Sequence, residues 1–212
     1  MEENLAAVGE AAHDVDALFC VGSDILSLAL LTPPAEVGAD VVVGEGGALG
    51  VGAGYGTGHG IFAAREDHLR QIPGRLVGAS EDATGRRAYT LTLQTREQHI
   101  RKERATSNVC TNQAWLALRT AIHVAALGPE GMVDLAEAHV RYAREAAAKL
   151  DRLDGVEAPA DGRHHVREFP VRVAVDATRV RDDLLDRGYA VHAIDGDLLQ
   201  VCVSEQTVDH VD

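Results

Sequence analysis

The chain has 212 residues, 46% of them hydrophobic, with 20 Lys plus Arg against 33 Asp plus Glu and a formal net charge of −13. That balance excludes a general nucleic-acid binder, whose affinity comes from neutralising phosphates, and the apolar fraction excludes a disordered tail. The length fits one domain of roughly 150 residues plus a smaller appendage.

The opening segment has no basic n-region and no apolar h-region, and no run of about 18 uncharged apolar residues occurs away from a glycine-rich loop. A cytoplasmic chain with no membrane segment is therefore expected. NLAAVGEAAHD predicts a short helix, ALFCVG a buried strand, ILSLALL a short helix or turn, and ADVVVGE a second apolar strand. After GEGGALGVGAGYGTGHG come GIFAA, a strand, and EDHLRQI, a helical turn closed by Pro73 and Gly74. The alternation predicts an α/β layered domain with a mostly parallel sheet. AYTLTL is a further strand-like segment, and TREQHIRKERATSN reads as a polar helix ended by Thr106, Ser107 and Asn108.

Asn112 is placed to cap a helix over QAWLALRTAIHVAAL, and Pro129 to open a second over GPEGMVDLAEAHVRYAREAAAKLDRL, with a turn from Gly128 to Gly131 between them. From Gly155 the texture changes to a loop, APADGRHH, and then to strand, helix, strand, strand in VREFPVRVAV, ATRVRDDLLDRG, YAVHAI and LLQVCVSE. TVDHVD begins one more helix.

Charge types say more than the total. The only lysines are Lys102 and Lys149, and aromatics are 4%. Dense carboxylates with few lysines suit concentrated salt, where their repulsion is screened. Residues 1–64 carry nine acids and no Lys or Arg, whereas 86–104 gathers Arg86, Arg87, Arg96, Arg101, Lys102 and Arg104 against Glu97 and Glu103. That basic stretch is the place for an acidic partner or an anionic ligand. Cys20, Cys110 and Cys202 lie far apart among apolar neighbours, which predicts buried, reduced thiols.

Several chemistries fail on their motifs. Gly52-Ala53-Gly54-Tyr55-Gly56 partly mimics a dinucleotide fingerprint, but an apolar strand follows where a helix should. The ten histidines form no HExxH and no Cys/His ladder, so no metal site is expected. No GxSxG elbow is present. If residues 95–111 are helical, Arg96, His99 and Glu103 share one face while Glu97, Arg101 and Arg104 share another. Ion pairs such as Glu97 with Arg101 then make a solvated face. The small polar residues that follow, which favour caps and anion-holding turns, suit an interface or an active-site rim instead.

The stretch PGRLVGASEDATGRRAYTLTLQTREQHIRKERATSNVCTNQA, with PPAEVGADVVVGEGGALG before it and LALRTAIHVAALGPEG after it, resembles the glycine cleavage system P-protein family, and within it subunit 1. The resemblance runs over about residues 3–205. Family members are about twice as long, and the part resembled is the C-terminal half. The resemblance implies an aspartate-aminotransferase type of fold for PLP-dependent enzymes. Residues 1–154 would form the C-terminal part of its large α/β domain with interface helices, and 155–212 a truncated small α/β domain.

It also implies a two-subunit enzyme, two copies of each, that decarboxylates glycine with PLP and passes the aminomethyl group to the lipoyl carrier (H) protein. PLP chemistry needs a lysine as its Schiff-base holder. Where subunit 2 carries a histidine-lysine pair, this chain has Gly47 and Ala48. No catalytic residue and no covalently bound cofactor are therefore expected here, with PLP held by the lysine-bearing subunit 2. Asp24 falls where the fold sets an acid against the pyridine nitrogen, as a relic or as a plain turn aspartate. Arg96, His99, Arg101, Thr106, Ser107 and Asn108 are the residues expected at the partner's active-site rim. The alternative is a degenerate, non-enzymatic relic or interaction module of the same fold.

Overall fold

A computed structural model describes residues 4–52, 58–74, 76–92, 97–105 and 113–207. Asn4 opens helix α1 (Leu5–His13), its side chain accepting from the Ala7 amide at 3.4 Å. Strands β1 (Cys20–Asp24), β2 (Val41–Glu45) and β3 (Gly60–Ala64) form one sheet in that order. Between β1 and β2 lie two 3-10 turns, Ile25–Ala29 and Pro34–Val37. β1 and β2 are parallel, as the alternation predicts, but β3 returns antiparallel to β2, so the sheet is mixed rather than mostly parallel. An antiparallel return needs no crossover helix, and the described start of this connection is tight turn. Among the described residues no strand pairs with the outer edge of β1.

Two small cores flank this sheet. Phe19, Val21 and Ala39 pack with Leu5 and Ala12 of α1, where Gly9 matters because a Cβ there would stand 3.0 Å from the Phe19 ring. Asp40 ties the same corner together: its Oδ2 accepts from the Phe19 amide at 2.8 Å and lies 2.9 Å from His13 Nε2. The second core joins Leu26, Leu49 and Ala136.

Strands β4 (Leu76–Glu81) and β5 (Arg87–Thr92) make a hairpin that forms a sheet of its own. Only β5 was legible in the sequence. Asp82 organises the turn, accepting from the Thr84 amide and hydroxyl and from the Arg86 amide. Those bonds, the Thr84 hydroxyl first, hold its carboxyl below the usual carboxylate range.

The polar run is not one helix. Helix α2 spans Gln98–Arg101, a single turn, and a 3-10 turn, Lys102–Arg104, follows. The break is at Arg101, whose φ −146 and ψ 81 leave the helical region. His99 and Glu103 therefore do not share a helical face. Glu97 is 1% exposed, so it is a buried acid and not part of a solvated face.

Helix α3 (Ala114–Leu150) breaks at Gly128, with φ 66 and ψ −178, and Pro129 opens its second half as expected. Gln113 stands at its start, and the expected cap, Asn112, lies outside the described residues. The C-terminal part has strands β6 (Val156–Glu157), β7 (Glu168–Val173), β8 (His192–Asp195) and β9 (Leu198–Cys202), in the antiparallel order β6-β7-β9-β8, with helix α4 (Ala177–Leu185). Phe169, Val171, Val173 and Leu199 pack with Ala143, Ala146 and Ala147 of α3 and Ala177 of α4 in the largest core of the molecule. Asp176 caps α4 through the Arg179 amide at 3.0 Å.

The thiols differ from expectation: Cys20 and Cys202 are both exposed, and Cys110 lies outside the described residues. Strand alternation is the reason for Cys20, since the pleat turns Val21 inward and its neighbour outward. The expected terminal helix over TVDHVD falls largely outside the described residues as well.

Candidate functional site

In open α/β sheets ligands gather beyond the carboxyl ends of parallel strands. Here β1 and β2 end side by side, Asp24 paired with Glu45 in register. Both carboxylates are already engaged. Asp24 Oδ1 accepts from the Leu26 amide at 3.1 Å, which caps the 3-10 turn, and Oδ2 accepts from Arg167 Nε at 2.6 Å. Glu45 Oε2 accepts from the Gly47 amide at 2.6 Å.

Arg167 reaches this strand end from just before β7. Its Nη2 lies 3.5 Å from Glu168 Oε1 and its Nη1 donates to Cys202 Sγ at 3.8 Å. Burial works against the guanidinium's charge, but Asp24 outweighs it and raises the Arg167 pKa above its ordinary value. Cys202 is exposed as a residue, yet the partial burial of its sulfur pushes the thiol up while Arg167 pulls the other way. A thiol so raised stays protonated at neutral pH and is a poor nucleophile.

The loop 46–52 after β2 is closed by its own backbone. The Leu49 amide donates to Gly46 O at 3.0 Å and the Gly52 amide to Gly47 O at 3.3 Å, while Thr120 Oγ1 donates to Leu49 O at 3.1 Å. Two histidines lie against it. A Cβ on Gly46 would overlap the His59 ring, and one on Gly50, where φ is +82, would stand 2.5 Å from His123 Cγ. His59 Nδ1 and His123 Nε2 are buried with no hydrogen-bond partner among the described residues.

Ala48 sits in this turn, and neither lysine is there: Lys102 follows α2, and Lys149 ends α3, 3.5 Å from Glu145. These residues do not fit a Schiff-base-held PLP. Among the described residues no three metal-ligating side chains come together, and no helix is long and apolar enough to cross a membrane.

Of the expected rim residues, His99 and Arg101 lie on the short helix α2, with Arg101 exposed. Arg96, Thr106, Ser107 and Asn108 lie outside the described residues. Sequence reasoning missed Arg167 as the partner of Asp24, because 143 positions separate them and neither local pattern announces the other. It also missed His139, fully buried in α3, whose Nε2 lies 2.6 Å from Glu205 Oε2. Its placement on a helix among alanines and apolar neighbours was the only signal.

The sequence profile of the family described as glycine cleavage system P-protein matches residues 2–211. The chain is 59% identical over 206 residues to "Probable glycine dehydrogenase (decarboxylating) subunit 1" of Halobacterium salinarum, covering 97% of this chain and 47% of that protein. The protein of the same description from Aeropyrum pernix is 42% identical over 223 residues, covering 100% of this chain and 48% of the relative. The chain thus spans about half the length of these curated relatives.

A crystal structure of glycine decarboxylase (P-protein) of the glycine cleavage system, in inhibitor-bound form, superposes with a TM-score of 0.89 at 37% identity, over 99% of this chain and 50% of that one. A sphingosine-1-phosphate lyase of Burkholderia pseudomallei shares the fold at 18% identity, with a TM-score of 0.62. The mixed α/β architecture is accordingly a fragment of the PLP-dependent fold, as the resemblance implied. A profile match over nearly the whole chain, carried by a closely superposing backbone, places this chain in the glycine cleavage system P-protein family.

Proposed function

We propose that the chain is the C-terminal half of subunit 1 of a glycine decarboxylase P-protein, a non-catalytic subunit that completes the enzyme rather than holding its cofactor. In this reading residues 1–154 belong to the large domain and 155–212 to the small one. PLP sits on the lysine-bearing subunit 2. The assembled enzyme decarboxylates glycine and delivers the aminomethyl group to the lipoyl carrier protein in the cytoplasm. The observation that carries the division of labour is the loop 46–52, turned in on itself around Ala48 with no lysine and packed by His59 and His123.

The carboxylate at the neighbouring strand end supports it. Asp24 is neutralised by Arg167 of the same chain, so a protonated ring nitrogen would have to displace a guanidinium at 2.6 Å. The work left to this chain is positional: Arg101 and the other cations of 97–105 lie exposed, placed to face an acidic partner or an anionic ligand at the rim. High identity to a relative from Halobacterium agrees with the salt-adapted composition.

The test is exchange of labelled bicarbonate into glycine at molar salt, with PLP and the lipoyl carrier protein, using this chain with and without the lysine-bearing subunit. Activity is expected only in the mixture. Exchange by this chain alone, or a mixture no faster than subunit 2 by itself, would overturn the reading.

A further inference from the structure

Helix α3 is bare in its first half, where Trp115, Leu118 and Ile122 are 61%, 61% and 62% exposed, but covered in its second, where His139 is 0% exposed. His139 lies between Ala136, which packs with Leu26 and Leu49 beside the first sheet, and Ala143, which packs in the C-terminal core. Part of its cover is the turn 204–207 that follows β9, through Glu205.

That turn is braced by its own bonds. The Thr207 amide donates to Ser204 O at 3.0 Å, and Thr207 Oγ1 accepts from the Ser204 amide at 2.9 Å. Just before it, Val203 is buried in the C-terminal core and its amide donates to Arg167 O at 2.9 Å.

From this braced stretch a relay of contacts runs across to the ends of β1 and β2. Glu205 Oε2 lies 2.6 Å from His139 Nε2, and the Glu205 amide lies 3.4 Å from the same nitrogen. One nitrogen cannot donate to the carboxylate and accept from the amide at once, and the shorter contact requires the hydrogen on Nε2. His139 Nδ1 is buried without a hydrogen-bond partner, so the imidazole's polar tie runs through Glu205. Glu205 Oε1 in turn accepts from Gln206 Nε2 at 3.5 Å. A Cβ on Gly52 would stand 3.2 Å from that same Nε2, so the Gln206 amide lies against the end of loop 46–52. Beside it, Arg167 holds Asp24 at the end of β1.

We propose that the turn 204–207 is a strap, anchored on His139, that keeps the C-terminal sheet closed over the ends of β1 and β2. Crevices at such strand ends are where open α/β sheets take ligands, and where closing parts move. Here the chain's own groups make the closure, from His139 through Glu205 and Gln206 to Gly52, so it needs no ligand to drive it. Releasing Glu205 would leave the fully buried imidazole with no partner on either nitrogen, which is what makes the strap costly to lift.

Amide hydrogen exchange read by mass spectrometry on the full chain tests this, comparing wild type with Glu205→Ala and Gln206→Ala. Glu205→Ala is expected to speed exchange about tenfold or more both in the turn 204–207 and in the loop 46–52 on the far side of the crevice. The β1-β2 and β7-β9 ladders should keep their wild-type rates. Gln206→Ala removes an exposed side chain and only the last contact of the relay, so it should speed 46–52 severalfold even if Glu205→Ala fails to fold. Acceleration confined to 204–207, or none at all, in the folded variants overturns the strap. A uniform rise that includes the β7-β9 ladder marks a general loss of stability and overturns it as well.

Discussion

Asp24 and Arg167 show how much a single pair decides. The ion pair is 26% and 18% exposed on its two side chains and bridges the end of β1 to the approach of β7. Charge-assisted bonds of this kind outlast surface pairs because solvent screens them less. Arg167→Met is expected to lower stability by about 1–3 kcal/mol by leaving Asp24 half-buried and unpaired. A double-mutant cycle with Asp24→Asn should return a coupling of about 1 kcal/mol or more by chemical denaturation. Additive single losses would show that the pair is ornamental. Asp40 makes a prediction of different form. The Phe19 amide and then His13 hold its carboxyl below the usual range. Its stabilisation is therefore fully present above about pH 4, the unfolded value, and is lost as pH falls through the lower folded value. Thermal midpoints measured from about pH 5 down to pH 3 should fall less steeply in Asp40→Asn than in wild type. None of these partnerships is written in the local sequence. Asp40 reads as the residue before an apolar strand, and its ligands come from α1 and the residue before β1.

Helix and strand identity was legible wherever one face had to be buried. α1, β2, β3, α4 and the Gly128-Pro129 break all follow from periodicity and punctuation in the sequence. What failed was the polar run, because rich helix formers without an apolar stripe have no face to pack, and the chain turns at Arg101 instead. β4 escaped notice because its period of two is blurred by Gly78 and Ser80, and its pairing with β5 is a property of the turn at Asp82. The break in α3 is open to direct test. Gly128 has φ 66 and ψ −178, a region essentially reserved to glycine, and open space where a Cβ would go. Gly128→Ala should therefore destabilise by about 1–3 kcal/mol through backbone strain alone. For a chain of this length that lowers the melting temperature by about 2–12 °C. A neutral substitution would mean that α3 runs through as one rod.

At the scale of the whole molecule, charge and exposed surface pull in one direction. With −13 net charges and nine acids in the first 64 residues unrelieved by any Lys or Arg, the compact state works against its own repulsion. Raising salt from about 0.1 M to 1 M shortens the screening length from about 10 Å to 3 Å, and the melting midpoint should rise across that range. A flat or falling midpoint would remove the salt-adaptation reading. The fold family was legible because the long motif between residues 73 and 114 carries the resemblance. The bare apolar faces of the hairpin and of the first half of α3 were not, because an apolar helix reads the same whether its neighbour is inside the chain or outside it. Trp115, the single tryptophan of the sequence and 61% exposed, turns that ambiguity into a signal. Its indole already sits mostly in water, so heating should change its emission colour little and will be a poor witness to unfolding. Capture by a dry protein surface should shift the same emission to the blue, giving a label-free optical titration in which one fluorophore reports encounter and stays nearly silent about collapse.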